Sequence, residues 1–302
     1  MILFRYGLFI VASVIFLGAA GLGAAAPAFS ETFKDALGRS ITLKGRPARI
    51  ITLAPSLTEI LYSLGLGKRV VGVTKFSSYP REAASKPKVG SYIDLNAEKI
   101  ISLFPDLVIG TVDGNQPWVV ELLEEAGIHV FIVNPRNVKE VIDTIAILGK
   151  VCGADERANV LVDQLTRRLH RIVNRIASKE RPLVFLQINV KPIMTVNRNT
   201  FHHDLIRLAG GRNMSENEPI TYPRISLEEV ITRKPEVIII SSMERGGRFE
   251  KARLRWLTWR SIPAVKNKRV HLIDSDLIDR PSPRIIEGLE SMARIIHPEV
   301  SW

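Results

Sequence analysis

The sequence predicts an α/β protein made of two similar Rossmann-like lobes joined by one long helix. Three observations carry that expectation. At 302 residues the chain is about twice the common domain size. A unit of helix, proline, acid and strand recurs 130 positions later, with Asn96 falling on Ser226. Between the two copies lies a stretch free of Gly and Pro in which apolar residues recur at helical spacing. A hydrophobic fraction of 46% supplies material for two cores.

In chain order, Met1 to Arg5 is a short positive start, and an uncharged apolar stretch follows from Tyr6 to Ala26. It closes on small residues, Ala24-Ala25-Ala26-Pro27-Ala28. This is the order of a secretory signal peptide, expected over 1–28, with cleavage after Ala28 or Ser30. An uncleaved anchor is the other reading of the same stretch. The sole cysteine is Cys152, so no thiol near that cleavage point is available for lipid and no intramolecular disulfide can form. Export without a lipid anchor points to the periplasm.

The N-terminal lobe is expected over 29–153. Arg49–Leu53, Val70–Val73, Leu107–Gly110 and His129–Val133 read as strands. Helices are expected over Ser56–Leu64, ended by Gly65, and around Pro117–Ala126 and Asn137–Lys150. The connecting helix is expected over 154–180: from Asp155 to Ser178 the apolar positions Ala158, Leu161, Val162, Leu165, Leu169, Ile172, Val173 and Ile176 form one stripe. About 24 residues rising about 1.5 Å each give a rod of about 36 Å. Such a rod either spans the two lobes or serves as a core helix of one; as a connector it would limit their relative motion. The C-terminal lobe, 181–302, carries strands near Leu183–Gln187, Val237–Ser241 and Val270–Ile273 and a last helix over Pro283–Ile296. Alternating strands and helices imply mostly parallel sheets covered on both faces.

The repeat itself aligns Asn96–Ile109 with Ser226–Ile239 without a gap. Each copy opens on an N-cap residue and runs two helical turns to a proline that cannot continue them. Tyr92 pairs with Tyr222, and Glu98 with Glu228, at the same offset. The net charge of +11 is spread along the chain with no basic run interleaved by aromatics, which reads as a solvated surface and not as a nucleic-acid groove. There is no Gly-x-Ser-x-Gly elbow, no phosphate-cradling glycine loop and no His-Glu-x-x-His, so nothing points to an enzyme. Asp274, Asp276 and Asp279 read as a solvated loop. His202-His203 is the one histidine pair, and neighbours on a helix do not share a face.

Several segments resemble a known family. These are Arg49-Ile-Ile-Thr-Leu-Ala-Pro-Ser56-Leu-Thr-Glu59, Val70 to Pro80 with Phe76 and Tyr79, Leu95 to Ile109, Phe185-Leu-Gln187, and Ser275 to Ile285. Together they are similar to the periplasmic binding proteins with a helical backbone (class III), and most like its cobalamin-binding members. These proteins serve ABC importers for cobalamin, iron-siderophores and haem. The resemblance implies a monomeric, non-enzymatic carrier with no cofactor of its own. It also implies a small-molecule ligand held between the lobes and, as partners, a membrane permease with its ATPase. By position it implies ligand contacts from Ser56, Phe76 and Tyr92 in the first lobe and Tyr222, Asp276 and Arg280 in the second, the last two in a loop before a helix, where a salt bridge within the loop is the other reading. Glu98 and Glu228, one per lobe, are implied to dock on permease arginines. Independently of the resemblance, a tyrosine offers a stiff apolar face with a polar tip, suited to a large planar ligand; capping the core of its own lobe is the other use of such a residue. Thr111, Tyr92 and Tyr222 each stand where the cobalamin-binding members have tryptophan. That departure implies a roomier and less apolar cleft and leaves another corrinoid, cobinamide, haem or a siderophore open.

Overall fold

A computed structural model describes residues 30–241 and 247–302; the expected signal peptide lies outside the described residues. The first described element is a hairpin, β1 (Glu31–Lys34) and β2 (Ser40–Leu43), paired antiparallel. The Asp35 carboxylate accepts the backbone N–H groups of Leu37 and Arg39 and so closes its turn. This hairpin is not among the strands expected from the sequence.

The first lobe follows as β3 (Ile50–Thr52), α1 (Pro55–Ser63), β4 (Val70–Val73), α2 (Ala97–Ser102), β5 (Leu107–Thr111), α3 (Pro117–Glu125), β6 (His129–Val133) and α4 (Val138–Val151). Its four strands are all parallel, in the order β4-β3-β5-β6. Next comes α5 (Asp155–Ile176), the 22-residue rod. The second lobe contains β7 (Leu183–Gln187), α6 (Phe201–Leu208), β8 (Arg212–Asn213), α7 (Leu227–Arg233), β9 (Val237–Ile240), α8 (Arg248–Trp256), α9 (Pro263–Lys266), β10 (Val270–Leu272), α10 (Ser275–Ile278) and α11 (Ile285–Ile296). Its sheet, also parallel, has the order β10-β9-β7-β8. Matching β3 to β7 and β5 to β9 makes the two sheet orders identical, so the sequence repeat marks one topology used twice.

The helix starts follow from their caps. Asn96, Asn137, Thr200 and Ser226 each accept a backbone N–H of the first turn of α2, α4, α6 and α7. Pro105 and Pro235 end α2 and α7 before the next strand.

Three apolar clusters result. One, around Ile51, Leu53, Ile100 and Val119, fills the outer side of the first sheet, and another, around Phe185, Ile238 and Trp256, fills that of the second. The largest runs between the lobes, from Ile50, Leu61 and Ile145 through Leu165 and Ile172 of α5 to Leu186, Leu289 and Met292. The rod packs on α4 of the first lobe and α11 of the second, and α4 also touches α6. The lobes are therefore braced by a packed helix layer, and separating them would expose core.

Candidate functional site

In parallel α/β sheets, side chains gathered past the carboxyl ends of the strands face a crevice. Here both sheets bring those ends to the interlobe gap. Beyond β3 lies Ser56, beyond β4 Phe76, and beyond β5 Asp113 and Asn115, with Arg136 beyond β6. Beyond β9 lies Ser241, and beyond β10 lie Asp276, Asp279 and Arg280.

Tyr92 and Tyr222 approach from opposite lobes. The Tyr222 Oη donates to Asp113 Oδ2 across the gap at 3.3 Å, and Arg136 grips the same carboxylate with two bonds of 2.7 and 2.9 Å. Burial pushes the Tyr92 phenol pKa above its ordinary value, with Asp113 and Tyr222 adding to the rise and Arg136 opposing it. Burial likewise raises that of Tyr222, helped by the Asp113 charge and hydrogen bond. Both phenols are thus protonated at neutral pH. Each ring also packs its apolar body on the interlobe core, so the tyrosines line the gap and cover their own lobe at once.

Tyr92 is fixed from behind. Asn115 Nδ2 donates to the carbonyls of Tyr92 (3.1 Å) and Leu53 (3.0 Å), and its Oδ1 accepts the Thr111 N–H (2.8 Å). Gly114, at φ +91°, lies so close to the ring that a Cβ there would sit 2.0 Å from Tyr92 Cε1.

A second cross-lobe junction centres on Glu59 of α1, whose side chain is 1% exposed. Its carboxylate accepts from Arg280 Nη1 (2.9 Å), Ser282 Oγ (2.7 Å), and Arg284 Nε and Nη2 (2.9 and 2.7 Å). Arg280 also pairs with Asp276 at 3.0 Å and reaches the Phe76 carbonyl at 3.4 Å, while Arg284 lies over the Tyr79 ring. Two of the expected contact residues, Arg280 and Asp276, are thus engaged with each other and with the first lobe. Asp276 lies in α10, not in the loop expected for it. Ser56 is buried at the start of α1, and the Phe76 ring is 54% exposed at the rim.

Asp279 corrects the solvated-loop reading: its side chain is 5% exposed and lies 3.1 Å from His202 Nε2, with Ser241 Oγ donating to its other oxygen. His202 points into the core and stacks on Phe201. His203 turns the other way, into a cavity of about 420 Å³ between the lobes. Arg136, Asp113, Asn115, Glu59 and the residues of this cavity were missed by sequence reasoning. Among the described residues no group of three His, Cys, Asp or Glu is placed to hold a metal ion. Cys152 is buried away from the gap, and burial pushes its thiol pKa up to about 12.

Glu98 and Glu228 sit in the first turns of α2 and α7, and both are exposed. Neither carboxylate has an ion pair within the described residues, whereas the adjacent Glu229 pairs with Arg233. No described helix is long and apolar enough to cross a membrane.

Residues 50–277 match the family model described as periplasmic binding protein. A curated relative from Bacillus subtilis, the uncharacterized ABC transporter substrate-binding lipoprotein YvrC, is 34% identical over 90% of this chain and 87% of its own. Among solved structures, the periplasmic vitamin B12 binding protein BtuF of Vibrio cholerae is 30% identical, with a TM-score of 0.76 over 83% of this chain and 97% of that one. A periplasmic heme binding protein from Pseudomonas aeruginosa is 27% identical, also at a TM-score of 0.76, over 84% of this chain and 94% of that one.

Proposed function

The chain belongs to the periplasmic binding protein family and is an ABC transporter substrate-binding protein; on that premise we propose that it captures a corrinoid of the cobalamin type between its lobes and delivers it to the permease. One observation carries the proposal: the repeat-related Tyr92 and Tyr222 come from opposite lobes to the same gap, Tyr222 reaching the Asp113–Arg136 pair of the other side. Two stiff aromatic faces on opposing walls suit a broad planar ring, and Asp113 with Arg136 supplies polar groups for its amide-bearing edge. Ser56 and Phe76 belong to the same gap. Arg280 and Asp276 act there as positioning residues, since their charges are balanced by Glu59 and by each other.

Haem and ferric siderophores are the competing ligands. Tyrosine binds ferric haem iron as the phenolate. Burial and the Asp113 charge both oppose ionisation of these phenols, which weighs against phenolate ligation. Glu98 and Glu228, exposed and without an ion pair among the described residues, lie at matching places in the two lobes and suit docking on a two-fold permease with its ATPase beneath it. The reading includes export to the periplasm as a monomer without a lipid anchor: unlike its lipoprotein relative, this chain has its only cysteine at the buried position 152.

Calorimetry of the mature protein against cobalamin, cobinamide, haem and a ferric siderophore tests the assignment. One corrinoid per chain is the expected result. Binding of haem or siderophore with no response to either corrinoid would overturn it.

A further inference from the structure

The cavity beside the tyrosine pair has a donor set of its own. It is lined from the first lobe by Arg136 and Asn137, and from the second by Arg198, Asn199, His203 and Thr221, among others. It adjoins the gap directly: Arg136 is shared by both, and Thr221 precedes Tyr222 in the chain. With a volume of about 420 Å³ it has room for a side arm of a ligand, not for a macrocycle.

Two of its charged groups are held in ion pairs. Arg136 is matched by the bidentate Asp113. Asp204, also on the wall, is matched by Arg207 at 2.7 Å, and its other oxygen accepts the Val138 N–H at 2.9 Å. Arg198 makes no ion pair among the described residues; its guanidinium bonds the Glu216 carbonyl and the Asn217 side-chain oxygen, while the Glu216 carboxylate bears on the neighbouring His203. Among the described residues its guanidinium is therefore the one cation on the cavity wall without an ion pair. His203 adds a donor. Its Nδ1 lies 3.4 Å from the Asn213 amide nitrogen, which as a donor places the ring proton on Nε2. Burial lowers the His203 pKa, so the ring stays neutral and serves as a hydrogen-bond donor and not as a second cation. The Asn199 amide and Thr221 hydroxyl complete a wall rich in donors around one guanidinium without an ion pair.

We infer that this cavity is a subsite for a singly charged oxyanion on an arm of the ligand, a phosphodiester, held by Arg198 with His203, Asn199 and Thr221. The inference rests on the corrinoid reading and deepens it: the cleft selects a complete corrinoid, whose nucleotide arm carries a phosphodiester, over a truncated one whose arm ends before the phosphate. The macrocycle lies between the tyrosines and the arm turns into the cavity past Arg136.

Cobalamin and cobinamide differ in this arm, which makes them the probes. Calorimetry on the full mature chain should give cobalamin at least about tenfold tighter binding than cobinamide, the scale of one charge-assisted hydrogen bond. Arg198→Gln should remove that gap by weakening cobalamin alone, Arg198→Lys should keep part of it, and added salt should narrow it in the parent protein. Arg198 is exposed, so both variants are expected to fold, and unchanged cobinamide binding reports that directly. Equal affinity for the two corrinoids in the parent protein, or an equal loss for both in Arg198→Gln, would overturn the subsite while leaving the corrinoid reading intact. Failure of both corrinoids to bind would overturn the reading and the subsite together.

Discussion

The two lobes repeat one sheet order, yet they hold their cleft tyrosines by different means. In the first, Tyr92 is secured entirely from within: Asn115 ties its carbonyl to the ends of β3 and β5, and Gly114 leaves room for its ring. In the second, Tyr222 lies on the long connection between β8 and α7, and the hydrogen bond of its hydroxyl goes to Asp113 of the first lobe. The loop after β10 likewise takes its charge balance from Glu59 on the other side. Duplication placed the two tyrosines symmetrically, whereas the surrounding contacts make one lobe a template and the other its dependent. For a protein whose lobes are joined by a packed rod, this puts the adjustable half of the cleft in the second lobe.

The sharpest way to break that comparison is Glu59→Ala. It takes the buried carboxylate from Arg284 and leaves Arg280 with Asp276 alone, which should cost about 3–5 kcal/mol of stability. Urea denaturation measures the loss. Hydrogen exchange should then show residues 274–284 exposed while the Tyr92 loop keeps its protection. Equal loosening of both would mean the dependence of one lobe on the other is not real.

Asn115→Ala comes next. It leaves the Thr111 N–H and the Leu53 and Tyr92 carbonyls without their partner, at about 2 kcal/mol. It should also weaken ligand binding, because it frees Tyr92. Gln187, at the end of β7, the counterpart of β3, accepts from Trp256 Nε1 at 2.6 Å and donates to the Asn189 carbonyl at 3.0 Å, so it supports the outer core and not Tyr222. Gln187→Ala is therefore expected to lower stability with ligand affinity kept. Calorimetry on the two variants side by side sharpens the contrast between the lobes.

Much of this contrast was invisible in the sequence, and the reason is physical. Strands β4, β6 and β7 were legible to the residue, because buried parallel strands are short apolar runs between turn signals. The rod was legible because 22 residues without Gly or Pro keep one apolar stripe. The hairpin at 31–43 was not, since each strand has four residues and only Phe33, Ile41 and Leu43 face inward. The tyrosines and glutamates were found through the repeat. Glu59, Asp113 and Arg136 repeat nowhere, and their partners lie as far as 225 residues away, at Arg284, so neither spacing nor periodicity could announce them. Asp279 was misread for a related reason: its polar neighbours in the chain suggested solvent, while its true neighbour, His202, lies 77 residues upstream.

Smaller effects test the symmetry itself. Tyr222→Phe removes one long hydrogen bond to Asp113 and keeps the ring, so a stability loss of about 0.5–1 kcal/mol is expected. Tyr92→Phe, whose hydroxyl has no described hydrogen-bond partner, should lose less than that. Thermal melts of the pair resolve the order, and a larger loss from Tyr92→Phe would contradict the picture of a self-supported first lobe.

The smallest expected change in the fold belongs to the one feature in which the lobes truly match. Glu98 and Glu228 are exposed, on equivalent first turns and without an ion pair among the described residues. Reversing both to Arg forfeits only a favourable interaction with each helix N-terminus, about 0.3–1 kcal/mol apiece. Ligand affinity should not move, because neither residue reaches the gap. Uptake in cells relying on this carrier should nevertheless stop if two acids meet two bases on the permease, since like charges then face each other at both contacts. Single reversals discriminate further: a two-fold permease should tolerate neither, and the two should be equally harmful. An unequal result would show that the division between template and dependent lobe extends to the membrane partner, with one lobe seated first and the other following.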